Sequence, residues 1–235
     1  HRVAANMFDK YEIIGGVFNP NIVENIEFAK KIGLNTSRIY KDFETLIEEE
    51  SKLGSDERIQ VVSVLTPNFL HYPMAKKLLE NDFHVICEKP LTTSYEEAKE
   101  LEAIGIDIIQ FDEPAFNVYM QDAVDWGVRA LERAARGLTC TTAVHICYGY
   151  GIKANTDWKK TLGSEWRQYE EVFPQLQASD VDIISLECHN SLVPMELLGL
   201  VRGKKVMVGV IDVANDAIET PEEVATTLRE ALQYV

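Results

Sequence analysis

The chain has 235 residues, of which 46% are hydrophobic and 26% are charged, an ordinary composition for a soluble folded protein. Its 38 acidic and 23 basic side chains give a net charge of −15, which argues against nucleic acid or an anionic membrane as a partner. No apolar run approaches the roughly 20 residues that cross a bilayer. The 4 cysteines lack the spacing of a disulfide framework, so we expect a cytoplasmic protein.

Strand and helix patterns alternate along the whole chain. Amphipathic helical patterns separate apolar, β-branched runs that are typical of buried parallel strands, and Thr93–Ser94 and Thr220–Pro221 are predicted helix starts. The sequence therefore predicts an α/β fold of repeated βα units. Seven runs are predicted strands, and 37–40 is a candidate eighth: 11–18, 59–65, 83–89, 106–113, 141–149, 181–188 and 204–212.

Eight parallel strands could close into a (βα)8 barrel or stay an open sheet, and we favour barrel-like closure. Unpaired strands at the edges of an open sheet or an imperfect barrel are surfaces on which another chain can pair. The sequence therefore also predicts a homo-oligomer formed through exposed sheet edges.

The first half has some features of a nucleotide site but no glycine-rich phosphate loop. Gly15 and Gly16 lie inside a predicted strand, and no G-x-G-x-x-G occurs anywhere in the chain. Two polar motifs follow predicted strands: T-P-N-F-L-H at 66–71 and E-K-P at 88–90.

From His1 to about Glu102 these motifs, together with V-I-C-E-K-P-L at 85–91, resemble the Rossmann domain of the glucose–fructose oxidoreductase/inositol dehydrogenase (Gfo/Idh/MocA) family. The resemblance implies an NAD(P) site with Lys89 as a catalytic residue at the nicotinamide. The alternative interpretation, which does not use the resemblance, is that Lys89 is a solvated lysine at a strand end and that Asn68 is a helix cap. The cofactor-binding residues implied by the resemblance are Thr66, Pro67, Asn68, His71 and Glu88.

Polar groups stand at the carboxyl ends of four consecutive strands in the second half. In parallel α/β folds this edge of the sheet is where active sites form. The sequence therefore predicts a site that combines these strand ends. The groups are Asp112 and Glu113; His145 and Cys147; Glu187, Cys188 and His189; and Asp212 and Asp216.

His145 and Cys147 are two residues apart on a predicted strand, so their side chains point to the same side. Imidazole, thiolate and carboxylate together suit zinc, and Glu187 on the next strand is a third candidate ligand. Cys188 follows Glu187 directly, so we expect it to face away. The alternative is that His145 and Cys147 are structural residues of a buried strand.

From about Ile104 to Val235 the chain resembles the catalytic barrel of cobalamin-independent methionine synthase, in its short core form. The resemblance implies that His145, Cys147 and Glu187 bind zinc and that Asp112 holds the amino group of a homocysteine-like thiol substrate. The family's last cysteine ligand would follow the end of the sequence, and Val213–Ala214 stand where larger members have a proton-donating histidine. The matching segments are DIIQFDEPAF, VHICYGYG, GSEWRQYEEVFP, DIISLECHNS and VMVGVIDV.

The two resemblances together describe a hybrid. Residues 1–103 are expected to form a Rossmann-like segment without its first strand and glycine loop, and 104–235 a half barrel without its last strand. We expect an incomplete zinc-dependent methyltransferase core with weak or no activity, in a chimeric or engineered chain. The alternatives are an NAD(P)-dependent oxidoreductase remnant and a recombinant scaffold without catalysis.

Overall fold

A computed structural model describes residues 11–146, 148–149, 153–189, 191–212 and 217–235. The chain divides into two compact units, His1–Gly105 (the N-terminal unit) and Ile106–Val235 (the C-terminal unit). All strand ladders are parallel, so the predicted α/β fold with parallel strands is confirmed. None of the described helices is long and apolar enough to cross a membrane.

In its described residues, 11–105, the N-terminal unit contains one two-stranded parallel sheet and four α-helices. Strands β1 and β2 pair from Val61↔His84 to Val64↔Cys87. Helix N-termini are capped by the side chains of Asn21, Asp42 and Ser94, which accept hydrogen bonds from main-chain N–H groups of the first turn. The elements are α1 (Ile22–Lys31), α2 (Phe43–Glu50), β1 (Val61–Val64), α3 (His71–Leu79), β2 (His84–Cys87) and α4 (Tyr95–Ile104).

The prediction of regular strands at 11–18 and 37–40 is wrong. The two segments share one isolated parallel bridge, Gly16↔Ile39, because Thr36–Arg38 forms a 3₁₀ turn rather than extended chain. A Cβ on Gly15 would lie 2.2 Å from the Arg38 carbonyl oxygen. The glycine in this apolar run therefore permits a close backbone approach, which periodicity alone does not reveal.

A fully buried carboxylate, Glu50 at the end of α2, connects three parts of the N-terminal unit. It accepts hydrogen bonds from the Ile59 N–H at 2.6 Å, from the Arg38 Nε at 2.9 Å and from the Tyr40 hydroxyl. Burial alone would raise the pKa of Glu50, but these donors outweigh it and lower the pKa. Burial, followed by the bond to Glu50, raises the pKa of Tyr40 to about 12.

The C-terminal unit contains a four-stranded parallel sheet in chain order, β3-β4-β5-β6. Its largest buried side chains lie between one face of this sheet and helix α7, where Val144, Ile146, Ile184 and Leu186 meet Tyr169 and Phe173. The strands, and the α-helices of seven or more residues, are β3 (Ile108–Asp112), α5 (Val128–Ala135), β4 (Thr141–Ile146), α6 (Lys153–Lys159), α7 (Tyr169–Ala178), β5 (Ile183–Glu187), β6 (Lys205–Gly209) and α8 (Pro221–Ala231).

Several sequence predictions for this unit are confirmed. Each of its strands lies inside a predicted apolar run, and α8 begins at the predicted Thr220–Pro221 start. Thr220 and Glu223 form a reciprocal capping box there. Strands β3 and β6 are the edges of the four-stranded sheet. Closure into a barrel and self-association through sheet edges stay predictions.

Candidate functional site

The carboxyl end of the four-stranded sheet places several predicted site residues on one face. Asp112 is the register partner of His145, and His145 is the partner of Ser185. Alternate residues of a strand point to the same side, so Glu187 shares the face of Ser185. The intervening residues Val144 and Leu186 belong to the core on the other face. The sheet therefore presents a carboxylate, an imidazole, a hydroxyl and a second carboxylate together.

His145 is half-buried and its ring is held by a neighbouring strand. Its Nδ1 lies 3.0 Å from the Oγ of Ser185, which is itself 6% exposed. With Nδ1 engaged in this way, Nε2 is the ring nitrogen that can bind another group. Ser185 was not singled out in the sequence, although a serine two residues before Glu187 in an otherwise apolar strand is a usable signal.

Glu187 is half-buried and joins the end of β5 to the chain that follows β4. Its Oε2 accepts a hydrogen bond from the Tyr148 N–H at 2.8 Å. The Tyr148 ring is buried against Trp166, and its hydroxyl donates to the Gln168 Oε1 at 3.0 Å. Burial, and then the negative charge of Glu187, raises the pKa of Tyr148. Tyr148 is therefore a neutral core residue that anchors this segment.

Two acidic side chains follow one another at the end of β3. Asp112 is exposed, and its Oδ1 accepts a hydrogen bond from the Gln110 amide at 3.0 Å. Glu113 is half-buried, and its N–H donates to the His145 carbonyl at 2.8 Å. Burial and the neighbouring charge of Asp112 raise the pKa of Glu113. The exposed Asp112 is thus the better placed of the two to meet a charged ligand.

The donor chemistry of this face fits a zinc ion, although the predicted ligand set is not described in full. Imidazole and carboxylate from neighbouring strands are zinc donors. The third predicted ligand, Cys147, lies outside the described residues. Among the residues that are described, no group of three or more His, Cys, Asp and Glu side chains could hold a metal ion.

Cys188 was expected to face away from these ligands, and this is confirmed. Its side chain belongs to the core on the opposite face of the sheet. Burial, as the largest cause, raises the pKa of Cys188 to about 12, so the side chain is a thiol rather than a thiolate at neutral pH.

The predicted nucleotide residues of the N-terminal unit follow the carboxyl ends of β1 and β2. Thr66, Pro67 and Asn68 come after β1, and Glu88 and Lys89 come after β2, whose last ladder pair is Val64↔Cys87. Asn68 and Lys89 are exposed. The alternative interpretation of Asn68 as a helix cap is wrong, because neither the 3₁₀ turn Asn68–Leu70 nor α3 has a side-chain cap.

His71 lies beneath these two loops rather than on their surface. It is completely buried, its Nδ1 is 2.6 Å from the Pro90 carbonyl oxygen, and its Nε2 is 2.7 Å from that of Thr66. Both ring nitrogens are therefore occupied by main-chain oxygens. The side chain ties the T-P-N loop to the E-K-P loop, and its contribution to a nucleotide site would be to position them.

Two family models match the chain, and both resemblances stated from the sequence are confirmed. The model described as "Oxidoreductase family, NAD-binding Rossmann fold" matches residues 1–105. The model described as "Cobalamin-independent synthase, Catalytic domain" matches residues 84–235, which is more than half of the chain.

Individual proteins of both kinds are similar to this chain. A methionine synthase of Saccharolobus islandicus (strain L.S.2.15 / Lassen #1) is 37% identical over 142 residues, covering 59% of this chain but only 37% of that relative. The structure of a B12-independent methionine synthase from Shewanella sp. W3-18-1, in complex with selenomethionine, is 57% identical, with a TM-score of 0.58, and covers 81% of this chain and 56% of that one. An inositol dehydrogenase homolog from Azotobacter vinelandii, complexed with NADH and myo-inositol, is 26% identical, with a TM-score of 0.44, and covers 74% of this chain and 48% of that one.

The chain thus combines a segment that matches an oxidoreductase Rossmann domain with a methionine synthase-like catalytic domain. The synthase match spans the strand ends at which Asp112, His145 and Glu187 share one face. On the extent of that match, the chain belongs to the cobalamin-independent methionine synthase family, through its catalytic domain.

Proposed function

We propose that the C-terminal unit carries a zinc-dependent methyltransferase-type site for a homocysteine-like thiol. The observation that carries this proposal is the placement of His145 and Glu187 on one face of neighbouring strands, with Asp112 in register beside His145. An imidazole and a carboxylate are two thirds of the donor set expected from the sequence.

The proposed metal ligands are the Nε2 of His145, the thiolate of Cys147 and the carboxylate of Glu187. The Glu187 carboxylate is held by a hydrogen bond from the Tyr148 N–H, in the chain that follows β4. When bound, zinc would supply a Lewis acid that lowers the pKa of a substrate thiol. The protein's own part is to hold the imidazole and carboxylate in place on rigid strands.

Asp112 is proposed to hold the substrate by its amino group. Its carboxylate is exposed on the same face as His145, so it can accept charge-assisted hydrogen bonds from an ammonium group. The similar Shewanella protein was solved with selenomethionine, an amino acid with such a group. This supports an amino acid as the substrate class.

Methyl transfer by this chain is proposed to be weak or absent, because the chain is a hybrid. Residues 1–83 match the oxidoreductase family and lie outside the synthase match, and the two matches overlap only in residues 84–105. The part that precedes the zinc-site strands therefore comes from a family with a different cofactor. We propose that two unrelated segments were joined within this overlap.

Zinc content tests the proposed site directly. Purified in metal-defined buffer, the wild-type chain is expected to hold about one zinc ion, and His145→Ala to lose it, because a structural or catalytic site needs at least three protein ligands. His84→Ala is the matched control, since His84 is exposed on β2, and it should keep the metal. Elemental analysis per chain gives the result. Equal zinc in wild type and His145→Ala would contradict the proposal.

The match of residues 1–105 to an NAD-binding Rossmann family supports a second candidate function, nicotinamide dinucleotide binding by the N-terminal unit. NADH fluorescence is expected to change saturably on addition of the chain, with weak affinity, because the 235 residues contain no G-x-G-x-x-G motif for the pyrophosphate. Lys89→Ala should weaken the change, and Lys52→Ala, at an exposed lysine of the same unit, should not. An unperturbed NADH spectrum would refute the site.

A chain that binds neither zinc nor NADH would instead be a scaffold without catalysis.

A further inference from the structure

Ser185 is a polar residue in the middle of a buried strand. Its neighbours in β5 are Ile184, which is 0% exposed, and Leu186, which is 1% exposed, while Ser185 itself is 6% exposed. A buried hydroxyl without a partner is destabilising, so native proteins pair it. Here its Oγ lies 3.0 Å from the Nδ1 of His145.

The backbone fixes this contact. His145 and Ser185 are direct register partners in β4 and β5, the two inner strands of the four-stranded sheet. Each inner strand is hydrogen-bonded on both sides, so neither partner can shift without disrupting two ladders. Side chains supported on strands in this way are held more accurately than side chains on loops.

We infer that Ser185 is a positioning residue for His145, and this inference rests on the proposed zinc function of the same face. The hydroxyl oxygen accepts a hydrogen bond from Nδ1–H, which leaves the lone pair of Nε2 directed away from Ser185 and available to a metal. Ring orientation and tautomer of a metal-binding histidine are commonly set by the partner of its other nitrogen.

Glu187 is the second side chain that β5 contributes to this face. It lies two residues after Ser185 on the same face of β5, so one strand supplies both the group that orients the imidazole and a proposed ligand. In the reverse hydrogen bond the serine hydroxyl donates to Nδ1. The ring proton would then be on Nε2, which would have no lone pair left to bind a metal. The tautomer of His145 in the metal-free protein therefore distinguishes a positioning serine from a serine that only fills space.

Two substitutions separate the hydroxyl from the volume of the side chain. Ser185→Ala removes the acceptor, whereas Ser185→Thr keeps it and suits a strand. Ser63→Ala is the matched control, because Ser63 is a strand serine that is exposed in the other sheet. Far-ultraviolet circular dichroism shows whether each variant keeps its secondary structure.

The first measurement needs no metal. Long-range proton–nitrogen NMR correlation of the imidazoles at alkaline pH, with His145 assigned from its loss in His145→Ala, reports the tautomer. Wild type, Ser63→Ala and Ser185→Thr are expected to show the Nδ1–H form, and Ser185→Ala a shift toward the Nε2–H form. An Nε2–H tautomer in wild type, or no change in Ser185→Ala, would overturn the inference.

The second measurement is zinc affinity by competition with a chromophoric chelator. Ser185→Ala is expected to lose about 10- to 100-fold, as is typical when the group that orients a ligand is removed, and Ser185→Thr to stay within about threefold of wild type. An affinity of Ser185→Ala equal to that of wild type would overturn the inference. A wild-type chain that binds no zinc would refute the proposed function itself, and the tautomer measurement distinguishes that failure from a failure of Ser185.

Discussion

Replacing Glu50 with glutamine is expected to lower the free energy of unfolding of the N-terminal unit by about 3 kcal/mol, near the lower end of the range for breaking a buried ion pair. The side chain of Glu50 is fully buried, and that of Arg38 is 24% exposed, so partial access to water limits the loss. Glutamine keeps one acceptor oxygen but presents an amide N–H₂ group to donors. The guanidinium, the Tyr40 hydroxyl and the Ile59 N–H then compete for one oxygen.

Urea unfolding followed by far-ultraviolet circular dichroism measures this loss. All 3 tryptophans, Trp126, Trp158 and Trp166, lie in the C-terminal unit, so their fluorescence reports on that unit separately. Lys52→Gln removes an exposed ion pair with Glu48 and Glu49 and should change stability by less than about 0.5 kcal/mol. A Glu50→Gln midpoint indistinguishable from that of Lys52→Gln would show that the buried cluster contributes nothing.

The same cluster predicts how stability depends on pH. The folded-state pKa of Glu50 is lowered, so its contribution is present at neutral pH and is lost as the pH falls through that lowered pKa. Tyr40 has a folded pKa raised to about 12. Its contribution is therefore present below about 10, the unfolded value, and is lost as the pH rises toward the folded one. Glu50→Gln should approach wild-type stability in strong acid.

Replacing His71 with alanine is expected to destabilise the N-terminal unit by about 3–5 kcal/mol. A neutral imidazole carries one N–H, so the substitution leaves one of the facing carbonyl oxygens, of Thr66 or of Pro90, without its donor in a part-buried site, at about 1–3 kcal/mol, and it adds a cavity where the fully buried ring stood. His71→Gln can donate to one of the two oxygens from its amide, so it should recover part of the loss.

Chemical denaturation followed by circular dichroism measures the effect. His84→Ala, at an exposed histidine of the same unit, should stay within about 0.5 kcal/mol of wild type. NADH titration of His71→Ala below its unfolding transition would show whether the two loops also position a nucleotide. Wild-type stability in His71→Ala would mean that the ring does not hold the loops.

The local sequence was sufficient to predict the elements whose formation depends mainly on residues close together in the chain. Apolar, β-branched runs became β1–β6, because β-branched side chains pack well on a pleated sheet whose burial removes them from water. Ser94 and Thr220 begin helices, because a hydroxyl oxygen can satisfy the free N–H groups of the first turn. The period of 2 along β5 also placed Cys188 away from Glu187.

The same reasoning failed where distant segments meet. The run 11–18 has strand composition, but the close approach of Gly15 to Arg38 and the 3₁₀ turn at Thr36–Arg38 reduce the pairing to one bridge. The family resemblance implied a cofactor-binding role for His71, which stays a prediction, and the structure adds that its ring is buried between the Thr66 and Pro90 carbonyls. No local pattern specifies those partners.

The order of residues along the chain was enough to predict parallel α/β strands, two family resemblances and the strand ends that carry Asp112, His145 and Glu187. The pairing of these side chains, and the group that orients His145, became visible only in the folded protein. Ser185 meets His145 across 40 residues of chain, because the register of two neighbouring strands places them opposite each other. Strand register depends on the packing of the whole sheet, so that contact cannot be read from either strand alone.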